Sequence, residues 1–234
     1  MEFKALLQEA LEAQNIAFDE EKLAMAELFT AKLLEINESM NLTAITLPEE
    51  MVQKHWLDSL ALGRVKLQGK VLDVGSGAGF PGIPLHIFYP ECDFTLLDSL
   101  QKRLNFIREA CTFANISTPT LLHARAEEAG RNKLYRESFD VVLSRAVANL
   151  TALSEYCLPF VKVGGTMIAY KGPGAEEELV AAESALKKLG AEPEKMDRFF
   201  LPSGEERNLI YIKKINPTAP CYPRNSKAIK SKPL

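Results

Sequence analysis

Most of the chemistry legible in this chain lies in Val71-Leu72-Asp73-Val74-Gly75-Ser76-Gly77-Ala78-Gly79-Phe80-Pro81-Gly82, an apolar run that breaks into a glycine-rich turn ahead of a helical pattern. Glycines let a backbone approach a ligand more closely than any Cβ permits, and the N-terminus of the following helix favours anionic groups. Residues 77–82 satisfy the G-x-G-x-x-G of dinucleotide sites, a weak signal alone. The fuller description is D-x-G-x-G-x-G, and the acid discriminates between ligands. A carboxylate at Asp73, two residues before Gly75, suits a ligand with a positive group and repels a pyrophosphate. S-adenosyl-L-methionine has an amino-acid end and no phosphate, so it is the expected cofactor, with Asp73, Gly75, Gly77 and Gly79 leaving room for the methionine end. Asp98, 19 residues past Gly79, ends the next apolar run, where a carboxylate takes both ribose hydroxyls. Its plainer alternative is a cap for the helix that follows.

Arg145 and Lys171 follow two later apolar runs and would both reach the crevice at the carboxyl ends of a parallel sheet. A guanidinium there could hold a carboxylate, an RNA phosphate or guanine O6, and a lysine at a strand end could equally be solvated. His55, Asp58 and Ser59 stand at i, i+3 and i+4, so one helical face could carry a hydrogen-bonded pair; a structural histidine is the better reading than a nucleophilic triad. Three histidines and four cysteines, with no C-x-x-C pair and no histidines at ligand spacing, encode neither a metal site nor a disulfide framework.

These residues need a scaffold, and the periodicities supply one. Phe3, Leu6, Leu7, Ala10 and Leu11, then Met25, Phe29, Leu33, Ile36 and Met40, make two helical stripes, the second opened by Asp19-Glu20-Glu21. A third helix is predicted from a capping box of Thr46 and Glu49, with Pro48 in its first turn and Gly63 closing it. After Gly69 the period changes. Strands are predicted at 70–74, 94–98, 120–123, 139–144 and 166–170, alternating with helices around 85–89, 102–113, 150–161 and 176–189. Two more runs, 196–201 and 209–213, flank the turn Pro202-Ser203-Gly204-Glu205 and predict a closing antiparallel hairpin.

The 234 residues, 47% hydrophobic and 25% charged, exclude a disordered chain. No stretch approaches the ~18 apolar residues of a spanning helix, and the opening Met1-Glu2-Phe3-Lys4 leads into acids, so a cytoplasmic protein without membrane contact is predicted. Net charge is −3 but unevenly spread: residues 1–50 carry eleven acids and three bases, and residues 207–234 carry seven bases and no acid. A basic end suggests a polyanion met there, against the alternative of a merely solvated terminus.

Seven strings, in order, carry a family resemblance: Asn41-Leu42-Thr43, His55-x-x-Asp58-Ser59, Asp73 through Leu85, Leu97-Asp98-Ser99, Ser144-Arg145-Ala146, Lys171-Gly172 and Tyr222-Pro223-Arg224. Together they resemble the small-subunit ribosomal RNA methyltransferase G family, over essentially the whole chain. The resemblance implies a class I S-adenosyl-L-methionine-dependent methyltransferase fold, Rossmann-like with a mostly parallel sheet, which methylates guanine N7 in 16S rRNA of the small ribosomal subunit. It places Phe80, Arg145, Ala126 (through its backbone) and Glu127 (through its side chain) in the cofactor pocket. It gives Lys171, Tyr222, Arg224 and His55 to the substrate. Tyr222 could stack on a base while the tail's cations follow phosphates. The tail departs from the family where Ser226, Lys227 and Ile229 replace an expected glycine and proline.

The expected organisation is a helical extension over 1–66 packed on the core, a methyltransferase core over 67–216 and a basic tail over 217–234; the expected partner is 16S rRNA or the small ribosomal subunit, and the chain is expected to be a monomer. Guanine N7 carries no proton, so the transfer needs no general base, and Ser144-Arg145-Ala146-Val147 stands where amino-group methyltransferases carry an Asn/Asp-Pro-Pro-aromatic string. Two rivals remain: a nicotinamide dehydrogenase, which Asp73 opposes, and a noncatalytic RNA-binding or ribosome-assembly factor on the same scaffold. Removal of the tail is expected to leave the cofactor pocket intact.

Overall fold

A computed structural model describes residues 3–61 and 67–234. Gly63 and the expected boundary at residue 66 lie outside the described residues. Three helices come first: α1 (Phe3–Ala13), α2 (Glu20–Met40) and α3, which runs α-helical at Pro48–Glu50, π-helical over Met51–Leu57 and α-helical again at Asp58–Leu60. Asp19 caps α2, accepting from the Lys22 N–H at 2.8 Å, and Asn41 ends it in the left-handed conformation at φ 51°. The expected capping box of α3 does not form. Its N-cap is Leu47, without a side-chain bond, and Pro48 is the first helical residue, where a missing N–H costs nothing.

The rest alternates strand and helix. In order come β1 (Lys70–Val74), α4 (Gly82–Phe88), β2 (Asp93–Asp98), α5 (Gln101–Phe113), β3 (Thr120–His123), α6 (Ala126–Ala129) and β4 (Phe139–Arg145). Then follow α7 (Leu150–Cys157), β5 (Val161–Lys171), α8 (Ala175–Lys188), β6 (Ala191–Phe200), β7 (Glu206–Lys214) and α9 (Ser226–Ser231). Among the described residues the strands form one sheet in the order β3-β2-β1-β4-β5-β7-β6, parallel except where β7 pairs with β5 and β6. The order reverses at β1, leaving a crevice beyond the carboxyl ends of β1 and β4.

Each face of the sheet has its own core. On one, α1 to α5 bury Leu7, Phe29, Leu33, Trp56, Ile83 and Phe106 against Val71 and Leu96; on the other, α7, α8 and α9 bury Leu153, Leu186 and Ile229 against Leu72 and Val142. The N-terminal helices thus share a core with the sheet. Trp56, fully buried, meets Phe3, Phe29 and Phe80 edge-on, and its indole N–H donates to Thr30 Oγ1 at 3.0 Å. Tyr170 on β5 donates its hydroxyl to Ser59 O at 2.9 Å, fastening the end of α3 over the sheet.

Candidate functional site

At the end of β1 the chain turns through Gly75, Gly77 and Gly79, all at positive φ. Gly75 and Ser76 N–H both donate to Leu97 O, at 2.8 and 3.1 Å, so the turn is hung on the neighbouring strand. The three glycines are needed for different reasons. A Cβ on Gly75 would lie 2.5 Å from Val147 Cγ2 and one on Gly79 would lie 2.8 Å from Ile83 Cγ1, whereas one on Gly77 would meet only Gly75 O, at 3.9 Å. Space is therefore held open at Gly77, with the protein itself packed against the other two.

Asp73 sits beneath this turn, fully buried, its Oδ2 accepting from the Gly82 N–H at 2.9 Å at the start of α4. Its Oδ1 has no partner among the described residues. Burial pushes its pKa up to about 7; the Gly82 N–H and Arg145 oppose the rise, and Asp98 adds to it.

Asp98, also buried, unites the two roles open at the sequence level. Its Oδ1 accepts from the Leu100 N–H at 2.8 Å, ordering the entry to α5, and its Oδ2 accepts from the Gly77 N–H at 3.0 Å with Arg103 Nη1 at 3.3 Å. The same residue lines a cleft of about 360 Å³ with Gly75, Ala126, Glu127 and Val147. Tyr156 of α7 and Ser226 and Lys230 of α9 complete its wall. Val147, Tyr156, Ser226 and Lys230 carried no sequence signal for this place.

Arg145 is not in that wall. Its guanidinium turns toward α3, donating to Lys54 O at 2.9 Å, Asp58 Oδ2 at 3.0 Å and His55 Nδ1 at 3.2 Å, and it stands 5.6 Å over the Phe80 ring. Phe80 in turn stacks on His55, centroids 4.5 Å apart and planes within 12°. Because Nδ1 accepts from Arg145, the His55 proton is on Nε2, which donates to Thr43 Oγ1 at 2.9 Å. Asn37 brackets Thr43 through the Thr43 N–H and O. Burial first, then Arg145, lowers the His55 pKa to about 3, so the ring is neutral near pH 7. Asp58 has a second cation in Arg207, Nε to Oδ1 3.5 Å. The signature strings around Thr43, His55, Phe80 and Arg145 thus converge on one bolt between α3, the glycine turn and β4.

A model of the rRNA small subunit methyltransferase G family matches residues 22–210. Ribosomal RNA small subunit methyltransferase G of Moorella thermoacetica is 46% identical over 224 residues, covering 94% of this chain and 93% of the relative. That of Alkaliphilus oremlandii is 43% identical, with both chains covered entirely. The chain belongs to the rRNA small subunit methyltransferase G family. It is accordingly a member of a family of S-adenosyl-L-methionine-dependent rRNA methyltransferases. Solved structures share the fold alone: TrmN from Thermus thermophilus (TM-score 0.51, 19% identity, 67% of this chain and 47% of that one) and M. jannaschii TYW2 in complex with AdoMet (TM-score 0.52, 12% identity, 68% and 75%).

The residues present fit this family's cofactor. The space over Gly77, the orphaned Asp73 Oδ1 and the paired buried acids Asp98 and Glu127 offer room and acceptors for an ammonium and a ribose, with no phosphate to repel.

The substrate-side residues expected from the sequence all have partners within the fold. Lys171 Nζ lies 2.8 Å from Glu178 and 2.7 Å from Ala148 O, its side chain only 9% exposed. Arg224 embraces buried Glu155 through Nε and Nη2, at 2.9 and 2.6 Å, and Tyr222 is half-buried against the core. His55 is occupied as described. These four side chains hold the structure together, and the reason is the same for both cations: an acid on a neighbouring helix lies within ion-pair reach. The exposed Lys227, Lys230 and Lys232 form no ion pair among the described residues. The tail also reaches the cleft, since Ser226 and Lys230 line it.

Proposed function

We propose that this chain transfers a methyl group from S-adenosyl-L-methionine to N7 of a guanine in 16S rRNA of the small ribosomal subunit. The observation that supports this most is the open, acid-backed glycine turn in a member of this family. When bound, the cofactor supplies an electrophilic methyl on a sulfonium. Asp73 and the Gly75–Gly79 turn receive the amino-acid end, Asp98 the ribose, and Ala126 and Glu127 the adenine.

N7 has an in-plane lone pair and no proton, so no residue needs to accept one; positioning and exclusion of water carry the rate. His55 suits that scheme, because it is neutral and both its nitrogens are engaged. Arg145 acts as a positioning residue that fixes Phe80 and His55 beside the turn. Lys171 and Arg224 frame the site, and RNA phosphates fall to the exposed Arg125, Lys227 and Lys232, which form no ion pair among the described residues.

Single-turnover transfer of labelled methyl from S-adenosyl-L-methionine to unmodified small-subunit rRNA, measured from pH 7.5 upward, tests the proposal. Transfer at a rate independent of pH supports it. No transfer, or a rate rising tenfold per pH unit as a base deprotonates, overturns it.

A further inference from the structure

The C-terminal segment is fastened along its length before it reaches the cleft. Buried Lys214, at the end of β7, donates to Leu158 O at 2.8 Å and to the Thr218 hydroxyl. Arg136 donates to Thr218 O at 2.6 Å and to Tyr222 O at 2.8 Å, and Arg131 to Pro223 O at 2.8 Å and Cys221 O at 3.0 Å. The Arg224–Glu155 pair then fixes the segment to α7. Asn225 Oδ1 accepts from the Ala228 N–H at 2.9 Å, capping α9.

That docking sets the rotation of α9. Ile229 is fully buried among the side chains of α7, and Ser226 and Lys230, at i and i+4, share the face turned to the cleft. They stand in a wall with Asp98, Ala126, Glu127 and Tyr156. Two carboxylates, the guanidiniums of Arg103 and Arg125 and one lysine ammonium therefore border the same space, and the ammonium belongs to the tail.

We infer that α9 is part of the cofactor site, with Ser226 and Lys230 contacting the adenosine end of S-adenosyl-L-methionine; this rests on the reading of the cleft as the cofactor pocket. Such contact makes the tail a cofactor-binding element first and links its outer lysines, Lys227 and Lys232, to the occupancy of the pocket. By linkage, whatever cofactor binding does to the order of α9, phosphate binding on α9 does to cofactor affinity.

Isothermal titration of the full chain with S-adenosyl-L-methionine, combined with amide hydrogen exchange over residues 225–231, tests this. The double variant Ser226→Ala/Lys230→Met should weaken binding about 10- to 100-fold, the range of a lost charge-assisted bond, at unchanged melting temperature. Lys187→Met, which removes an exposed lysine on α8 far along the chain from α9, should leave affinity as it was. Cofactor should also slow exchange over residues 225–231 in the wild type. Wild-type affinity in the double variant, or exchange in α9 unmoved by cofactor, overturns the inference while leaving the pocket reading intact. A wild-type chain that does not bind S-adenosyl-L-methionine overturns that reading instead.

Discussion

Replacing Arg145 with methionine keeps most of the apolar stem and removes the guanidinium that joins α3 to β4. The loss is not confined to one bond. Arg145 and Asp58 side chains are 14% and 7% exposed, so the variant leaves a carboxylate buried with only Arg207, 3.5 Å away, to offset it. Breaking a buried pair on one side costs about 3–5 kcal/mol, and the remaining Arg207 puts the expected loss near the lower end, about 3 kcal/mol. For a chain of this size each kcal/mol moves the melting temperature by about 2–4 °C, giving a fall of about 6–12 °C. Arg145→Lys should fall in between, since one ammonium cannot serve Lys54 O, Asp58 and His55 together. Adding Asp58→Asn to Arg145→Met removes the stranded charge and should recover about 1–3 kcal/mol relative to additivity. Thermal unfolding reads the fall, and urea unfolding of the wild type, the two single variants and the double variant reads the cycle. A fall under 2 °C for Arg145→Met, or strictly additive variants, would refute the placement of Arg145 as the bolt.

Other consequences follow from the same geometry. Gly77→Val forces a branched residue into φ 57°, at a cost of about 1–3 kcal/mol, but its Cβ meets open space, so the chain should fold and lose at least 100-fold in S-adenosyl-L-methionine affinity by calorimetry. Retained affinity would move the ligand elsewhere. Asp98→Asn places an NH₂ against either the Gly77 or the Leu100 N–H, so melting temperature and cofactor affinity should fall together; a change in only one would separate the two roles. Protonation gives a third check. Asp73, raised to about 7, makes stability fall as pH rises from about 4 to 7, and His55, lowered to about 3, makes it rise from about 3 to 6.5. The slopes, each up to about 1.4 kcal/mol per pH unit, oppose one another between about pH 4 and 6.5. Asp73→Asn uncovers the His55 slope, so on acidification from pH 6.5 to 4.5 it should lose stability faster than the wild type in urea titrations; parallel profiles would contradict the Asp73 assignment, and a flat profile for the variant the His55 one.

What the sequence makes legible, and what it hides, divides along physical lines. β1 and β3 are found at their expected bounds because apolar runs between turn residues leave little freedom. β5 begins at Val161, five residues early, since Val161 pairs with Phe139 before a bulge and Gly164-Gly165 interrupts the apolar run that marks the strand. The helix before it stops at Cys157 because Pro159 follows. The glycine turn and both acids are local chemistry and stand where the motif puts them. The destinations of the cations were not legible: Arg145 and Arg224 meet acids 87 and 69 positions away, a matter of packing that no local spacing encodes. The docking of the tail is hidden for a further reason. Arg131 and Arg136 hold it through backbone carbonyls, which every residue carries alike.

Incubating the purified chain with S-adenosyl-L-methionine and unmodified small ribosomal subunits, then digesting the rRNA to nucleosides and identifying the methylated product, tests the central claim most directly. The account predicts 7-methylguanosine with the wild type and none with Gly77→Val. A methyl group on an exocyclic amine, on a ribose or on another base, or no methylated nucleoside at all from a chain that binds the cofactor, would contradict it.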